Sequence, residues 1–177
     1  MGVWIALLRA VNVGGRKYPM AELRAALEAA GFAGVQTHIQ TGNVRLESPL
    51  RSREKLEDAL ESVFLTDRGF EVSTIVLSTA ELAGIVADVD DLAATFTPKV
   101  GSYVSVMKRQ PPAAVAREIE QMSTPGERLV VRGRAIHLLV DVPFNQVRTN
   151  FAKIERISGP STNRNDRVLR ALAEKWG

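Results

Sequence analysis

Two polar segments near the start of the chain carry residue types that suit anion binding. One is Arg9 with the loop Asn12-Val13-Gly14-Gly15-Arg16-Lys17, and the other is Gln40-Thr41-Gly42-Asn43. Adjacent glycines let backbone amides turn toward one ligand, and cationic side chains add charge-assisted hydrogen bonds. The loop matches neither the phosphate-loop nor the dinucleotide glycine pattern, so the sequence predicts an anion site without assigning a nucleotide. The candidate ligand-binding residues here are Arg9, Asn12, Gly14, Gly15, Arg16, Lys17, Gln40, Gly42 and Asn43.

The order of predicted elements brings these segments together. The pattern runs strand, helix, strand, strand, helix, strand, which is typical of a ferredoxin-like half. In that arrangement the third strand lies between the first and second and runs antiparallel to both. The end of strand one therefore lies beside the start of strand three. The predicted elements are a strand at residues 3–8, a helix at 19–30, a hairpin around Thr41-Gly42, a helix from Ser52 and a strand at 70–77.

The second half of the sequence repeats this outline. A strand at 103–109 precedes a helix that begins after Pro111-Pro112, and a hairpin turns at Gly133-Arg134 and pairs Val131 with residue 136. A short helix at 147–154 and a terminal helix that ends near Trp176 follow. We therefore predict an α+β fold of two tandem ferredoxin-like halves, with antiparallel or mixed sheets and helices on one face. The predicted division is residues 1–78, a linking helix and connector at 79–100, and a second α+β half with a basic tail region at 101–177.

The hairpin patterns also predict a polar, partly basic outer surface on both sheets. His38 is expected opposite Arg45 in the first hairpin, and His137 is expected on the outer face of the second. These two are the chain's only histidines, and surface strand positions are the expected place for both. Asp88, with Asp90 and Asp91, is expected in a solvated loop, so we predict no metal site and no cofactor.

Composition and charge exclude several classes of protein. The chain has 177 residues, a net charge of +3 and no cysteine, which excludes disulfides, thiolate metal sites and a cysteine nucleophile. Residues 127–177 carry ten basic and five acidic side chains, whereas residues 50–100 carry five basic and ten acidic ones. The longest apolar run near the start is too short for a signal peptide or a membrane span, so we predict a soluble cytoplasmic protein. No catalytic motif is found, and the sequence assigns no reaction.

Several motifs resemble those of one bacterial family. Residues 8–15 read LRAVNVGG, residues 20–24 read MAELR, and residues 39–44 read IQTGNV. Together they are similar to the domain of unknown function 1697 family, and the likeness extends over nearly the whole chain. The family's Thr-x-Arg-Asn-Trp pattern resembles Thr162-Asn163-Arg164-Asn165, with Asp166 in place of the tryptophan. The resemblance implies a tandem α+β fold and no activity, and it adds Thr162, Arg164 and Asn165 to the candidate ligand-binding residues.

Three functions remain open at this point. The first is binding of an anionic, phosphorylated or carboxylated small ligand at the edge of the N-terminal sheet. The second is nucleic-acid binding, which the basic last quarter favours, although the predicted third strand at 43–47 has no aromatic residue to stack on a base. The third is a homo-oligomeric interaction protein in which a second subunit covers apolar residues such as Trp4.

Overall fold

The computed structural model describes residues 1–96, 98 and 100–177. Thr97 and Lys99 belong to the predicted connector and lie outside the described residues. Two units can be separated by their internal contacts, one formed by Met1–Leu82 with Trp176–Gly177 and the other by Ala83–Lys175. None of the helices in the described ranges is long and apolar enough to cross a bilayer.

The first unit contains a four-stranded antiparallel sheet with the strand order β2-β3-β1-β4. Its core lies between the sheet and two helices, where alternate strand residues such as Ala6, Leu8, Val44 and Leu46 are packed and fully buried. The position of β3 between β1 and β2 confirms the predicted ferredoxin-like order. The elements are β1 (Gly2–Leu8), α1 (Met20–Ala29), β2 (Ala33–His38), β3 (Asn43–Ser48), α2 (Arg53–Arg68) and β4 (Thr74–Ser78).

The helices of the first unit begin and end where their terminal residues predict. The hydroxyl of Ser52 accepts a hydrogen bond from the Lys55 backbone amide at 3.3 Å and caps the start of α2. Gly69 ends α2 in the left-handed conformation with φ +71°, a position that glycine occupies at little steric cost. Pro19 is the N-cap of α1, so the helix begins one residue later than the predicted start at Pro19.

The second unit repeats the same sheet order, β6-β7-β5-β8. Its core joins Met107 of the central strand to Ile119 and Ile154 from two helices, with Ile136 and Leu138 from the hairpin. The predicted two-residue turn at Gly133-Arg134 is present, since Arg132 pairs with Ala135 and Val131 with Ile136. The elements are β5 (Gly101–Met107), α4 (Ala113–Glu120), β6 (Glu127–Arg132), β7 (Ala135–Val140), a 3-10 turn (Phe144–Gln146), α5 (Phe151–Ser158), β8 (Ser161–Asn165) and α6 (Asp166–Trp176).

A helix replaces much of the predicted connector. A capping box starts this helix, because Ser78 N donates to Glu81 Oε2 at 2.9 Å and Glu81 N donates to Ser78 Oγ at 3.1 Å. The helix, α3, runs from Thr79 to Thr95 and so occupies most of the segment predicted as a linking helix and connector. Asp88 therefore lies on a helix and not in a solvated loop. Arginines pair with Asp88, Asp90 and Asp91, which reduces the repulsion between these carboxylates on one helix.

The polar outer surface predicted from the two hairpins is wrong at His137, whereas the continuous apolar run of β1 predicts a central strand covered on both faces. Ile5 and Leu7 of β1 are completely buried, although they alternate with the core residues Ala6 and Leu8. His137 of β7 is also completely buried, which contradicts the surface position expected for it. Both faces of these strands are therefore covered, and the continuous apolar run of β1 agrees with that burial.

The register of the first hairpin also differs from the prediction. His38 pairs with Asn43, and Gln36 is the residue that pairs with Arg45. The connection thus has four residues, Ile39 to Gly42, in place of two. Ile39 adopts φ +51° and Gly42 φ +79°, and β2 carries a bulge between Ala33 and Gln36. The four-residue connection shifts the pairing of β2 with β3 by two residues from the prediction, and the bulge shifts it by one more between Gln36 and Ala33. Simple alternation of polar and apolar residues reveals neither shift.

Candidate functional site

Asn12 joins the two polar segments at one end of the first sheet. Its Nδ2 donates hydrogen bonds to the carbonyl of Gln40 at 2.8 Å and to that of Tyr18 at 3.0 Å, while its Oδ1 accepts from Tyr18 N at 2.8 Å. Leu8 N donates to the carbonyl of Gly42 at 2.8 Å and continues the β1–β3 contact into the loop. The structure therefore brings together segments that are 28 residues apart.

The glycine pair forms the tip of a tight turn. Arg16 N donates to Val13 O at 3.1 Å, and Gly14 and Gly15 adopt φ +56° and +85°. Positive φ at both central positions is typical of a type I′ turn. The amides of Gly14 and Gly15 donate to no acceptor within residues 1–96, 98 and 100–177, and a Cβ on either glycine would meet nothing within 4 Å. Both glycines are exposed, so two backbone amides at this edge lack an acceptor among the described residues.

Three cationic side chains surround this turn in the sequence. Arg16 Nη1 donates to the carbonyl of Glu71 at 3.3 Å, and its guanidinium carbon lies 5.8 Å from the centroid of the Phe70 ring. Lys17 is exposed and forms no ion pair within the described part of the chain. Arg9 is half-buried at the end of β1, with its backbone amide bonded to Ser73 O at 2.9 Å. Three cationic residues therefore lie at this edge, and the guanidinium group of Arg16 is held in place by the carbonyl of Glu71 and the Phe70 ring.

Asn43 and Gly42 hold the hairpin loop and do not face solvent as ligand groups. Asn43 is completely buried, and its Nδ2 donates to His38 O at 3.0 Å and to Thr41 Oγ1 at 3.1 Å, which uses both amide hydrogens. A Cβ at Gly42 would lie 2.7 Å from Leu8 Cβ, so the loop and β1 meet too closely for a larger residue. Gln40 remains exposed. Of the neutral candidates, Gln40 is the one whose side chain is open to solvent.

The three C-terminal candidates lie in the second unit. Thr162 and Arg164 are buried in β8, and Arg164 Nη1 donates to Thr162 Oγ1 at 3.0 Å and to Asn163 O at 2.7 Å. Burial lowers the pKa of Arg164 to about 10, because the charged form loses its hydration. Asn165 Oδ1 accepts from Val168 N at 2.9 Å and caps the start of α6. The sequence pattern did not predict β8, so the burial of its side chains was missed.

Acidic residues of α3 are bound to arginines and not arranged around a metal. Arg132 donates to Asp88 at 2.9 Å and to Asp91 at 2.7 Å, and Arg170 donates to Asp90 at 2.7 Å. In the described ranges no group of three or more histidine or acidic residues is placed to hold a metal ion. The acidic residues of α3 therefore pair with arginines from the basic last quarter of the chain.

One surface of the second unit was not found from the sequence. The rings of Tyr103 and Phe144 are 4.5 Å apart at their centroids and inclined by 42°, and those of Phe144 and Phe151 are 6.2 Å apart at 36°. A cavity of about 200 Å³ adjoins Tyr103 at the end of the sheet. Single aromatic residues after Pro143 gave no periodic signal, because they lie in a 3-10 turn and at a helix start.

Comparison with known proteins identifies the family. The profile described as a protein of unknown function (DUF1697) matches residues 1–137. The chain belongs to the DUF1697 family. A solved structure described as that of the conserved bacterial protein SP0830 from Streptococcus pneumoniae is similar over 99% of this chain and 98% of its own, with a TM-score of 0.78 and 23% identity. That likeness supports the DUF1697 fold alone, and no curated protein matches the sequence.

Proposed function

We propose that the first unit binds a small anionic ligand, carrying a phosphate or carboxylate group, at the end of its sheet. The binding groups are the amides of Gly14 and Gly15 together with the cationic side chains of Arg9, Arg16 and Lys17. The observation that carries the proposal is the pair of glycine amides that donate to no acceptor in the described part of the chain and lie in an exposed turn.

The hydrogen bonds of Asn12 support this proposal, because they fix the loop before any ligand arrives. A loop tied at both ends loses little conformational entropy on binding, so more of the interaction energy appears as affinity. Arg16 is held in a similar way by Phe70 and the carbonyl of Glu71. Backbone amides combined with a guanidinium group suit an oxyanion better than a neutral ligand.

Amide NMR spectra recorded during titration with sodium phosphate or citrate test this proposal. We expect saturable shifts of the Gly14 and Gly15 amide signals, which sodium chloride at matched ionic strength does not reproduce. The double substitution Arg16→Gln and Lys17→Gln is expected to weaken binding by about tenfold or more, since each removes a charged donor. Comparison of phosphate with citrate identifies the preferred anionic group.

The matched control is the double substitution Arg51→Gln and Lys55→Gln. These side chains are exposed in the same unit, and their removal lowers the net charge by the same amount. Equal weakening in both double variants would show general electrostatic attraction and contradict a site. Shifts that grow linearly without saturation would contradict it as well.

A further inference from the structure

Three aromatic side chains of the second unit form a partly exposed series, which we call the aromatic surface: Tyr103, Phe144 and Phe151. Phe144 is 46% exposed and Phe151 37% exposed, although large apolar side chains of this kind are usually buried. Tyr103 is half-buried and packs against the core of the unit. Adjacent rings that remain open to solvent provide flat faces on which other rings can stack.

A buried carboxylate fixes the segment that carries two of these rings. Glu127 is 4% exposed and accepts hydrogen bonds from Arg148 N at 2.6 Å, Thr149 N at 2.8 Å and Thr149 Oγ1 at 2.6 Å. Burial acts to raise the pKa of Glu127, but the hydrogen bonds from Thr149 and Arg148 outweigh it and lower that pKa. Because these residues lie between Phe144 and Phe151 in the chain, both rings are held on an anchored backbone.

Two cations near this surface in the sequence are exposed, and the charge of one of them, Arg148, also lowers the pKa of Glu127. Arg148 lies between Phe144 and Phe151, and Arg167 lines the adjoining cavity. Both are exposed and form no ion pair with any residue the structure describes. Among the other arginines of the last quarter, Arg132 and Arg170 bind aspartates and Arg134 and Arg164 are buried, whereas Arg128 and Arg156 are exposed as well. Arg148, between the two phenylalanines in the chain, and Arg167, at the cavity wall, are therefore exposed charges available to a ligand.

The adjoining cavity has polar walls and holds only part of a ligand. Its volume of about 200 Å³ is below the ~300–1,000 Å³ that is usual for a whole small molecule. Ser102 lines it, and the Ser102 hydroxyl is buried without a hydrogen-bond partner among the described residues. The lining residues are Val100, Gly101, Ser102, Tyr103, Asn165, Asp166 and Arg167.

We infer that the aromatic surface and this cavity together bind single-stranded nucleic acid. Bases stack on Phe144 and Phe151, one nucleotide reaches the cavity beside Tyr103, and backbone phosphates lie near Arg148 and Arg167. Stacking rings combined with unpaired cations are the features that bind single strands with little sequence preference. A small cavity that shares Tyr103 with the aromatic surface suits one unit of a polymer. The carboxylate of Asp166 on the cavity wall repels phosphate, so the group that enters is a base or sugar.

Filter binding of labelled single-stranded DNA and RNA oligomers to the whole protein tests this inference. We expect saturable binding at low salt that weakens as salt increases, because released counterions contribute to the affinity. Phe144→Leu and Phe151→Leu keep apolar side chains but lose the rings, and each is expected to weaken binding about fivefold or more. Phe144→Trp keeps a stacking face and should retain the affinity.

Charge variants and a duplex distinguish base stacking from general attraction between opposite charges. Arg148→Gln should reduce the slope of log affinity against log salt by about one, whereas Arg117→Gln, an exposed arginine of α4, should leave it unchanged.

The inference is overturned if no oligomer binds saturably, if a duplex binds as tightly as the single strand, or if Phe144→Leu matches the unmodified protein. Self-association that Phe144→Leu abolishes, without oligomer binding, would instead make this a contact surface between copies of the chain. The double substitution Arg16→Gln and Lys17→Gln should not affect oligomer binding, so this inference and the proposed anion site fail independently.

Discussion

The imidazole of His137 is fully buried, and neither ring nitrogen has a hydrogen-bond partner among the residues that the structure describes. Its Nε2 lies 4.0 Å from Asp88 Oδ2, and Asp88 also accepts from Arg132. Burial lowers the pKa of His137 to about 4, because the loss of hydration outweighs the attraction of Asp88, and Arg132 lowers it further. This histidine is therefore neutral in the folded protein at neutral pH.

His137 makes stability depend on pH below neutrality. Its pKa is lower in the folded chain than the usual 6.5, so the unfolded chain takes up the proton first as the pH falls. Stability is unaffected above about pH 6.5 and decreases between pH 6.5 and 4, by about 3 kcal/mol in total. The substitution His137→Leu should remove this decrease, and urea unfolding at several pH values measures it. Parallel stability profiles for the two proteins would contradict the assignment.

The meeting of the two loop segments could be predicted from the sequence, but the orientations of their side chains could not. The pattern of glycine, asparagine and arginine indicated which segments meet, and the hydrogen bond from Asn12 to Gln40 joins them. Whether an asparagine faces solvent or the chain itself depends on nearby carbonyls, which a linear sequence does not place. Asn43 is buried for this reason, since the carbonyl of His38 and the hydroxyl of Thr41 take its amide hydrogens.

Among the elements, β1 and the hairpin loop approach most closely at Gly42. A methyl group at Gly42 would lie 2.7 Å from Leu8 Cβ. The backbone there also has φ +79°, which is strained for any residue other than glycine. Gly69 at the end of α2 has a similar φ of +71°, but nothing lies within 4 Å of its added Cβ. Alanine would therefore be strained by the positive φ at both positions, but it would clash with a neighbour only at Gly42.

Gly42→Ala is therefore expected to destabilise the protein more than Gly69→Ala. Holding alanine at positive φ costs about 1 kcal/mol of stability at either position. The close contact with Leu8 adds a cost of about 1–3 kcal/mol at Gly42. Thermal unfolding of the two variants measures the difference. Equal losses in unfolding temperature would show that strand β1 yields to the added methyl group.

Element types were predictable where local signals agree. The helices with apolar stripes and caps, and the hairpin at Gly133-Arg134, were placed from the sequence because periodicity and turn chemistry indicate the same structure. The strand β8 was missed, since its sequence Ser-Thr-Asn-Arg-Asn has no apolar residue and poor strand propensity. Its strand form depends on pairing with β5, where Val104 lies opposite Arg164 and Val106 opposite Thr162.

At the scale of the molecule, the last residues of the chain complete the first unit. Trp176 is 6% exposed, its indole Nε1 donates to Gln36 Oε1 at 2.9 Å, and its ring lies edge-on to His38 at 6.3 Å. These contacts join residues 140 positions apart. Sequence patterns predict contacts of neighbouring elements more readily than contacts over such a distance, because no local signal marks them.

Trp176→Ala should lower the free energy of unfolding by about 3–5 kcal/mol, the usual cost of removing a buried aromatic side chain. Trp176→Phe keeps most of the packing and loses the hydrogen bond, so a smaller loss is expected. Guanidinium unfolding followed by circular dichroism measures both. Equal losses would mean that the bond to Gln36, and not the packed ring, is what matters.

Both tryptophans of the chain, Trp4 and Trp176, belong to the first unit, and residues 83–175 contain none. Intrinsic indole emission therefore reports on that unit and on the end of α6, whereas the ellipticity at about 222 nm reports the helical content of the whole chain. A coincident pair of midpoints would mark a single cooperative melting event, and separated midpoints would give the order in which the two cores open.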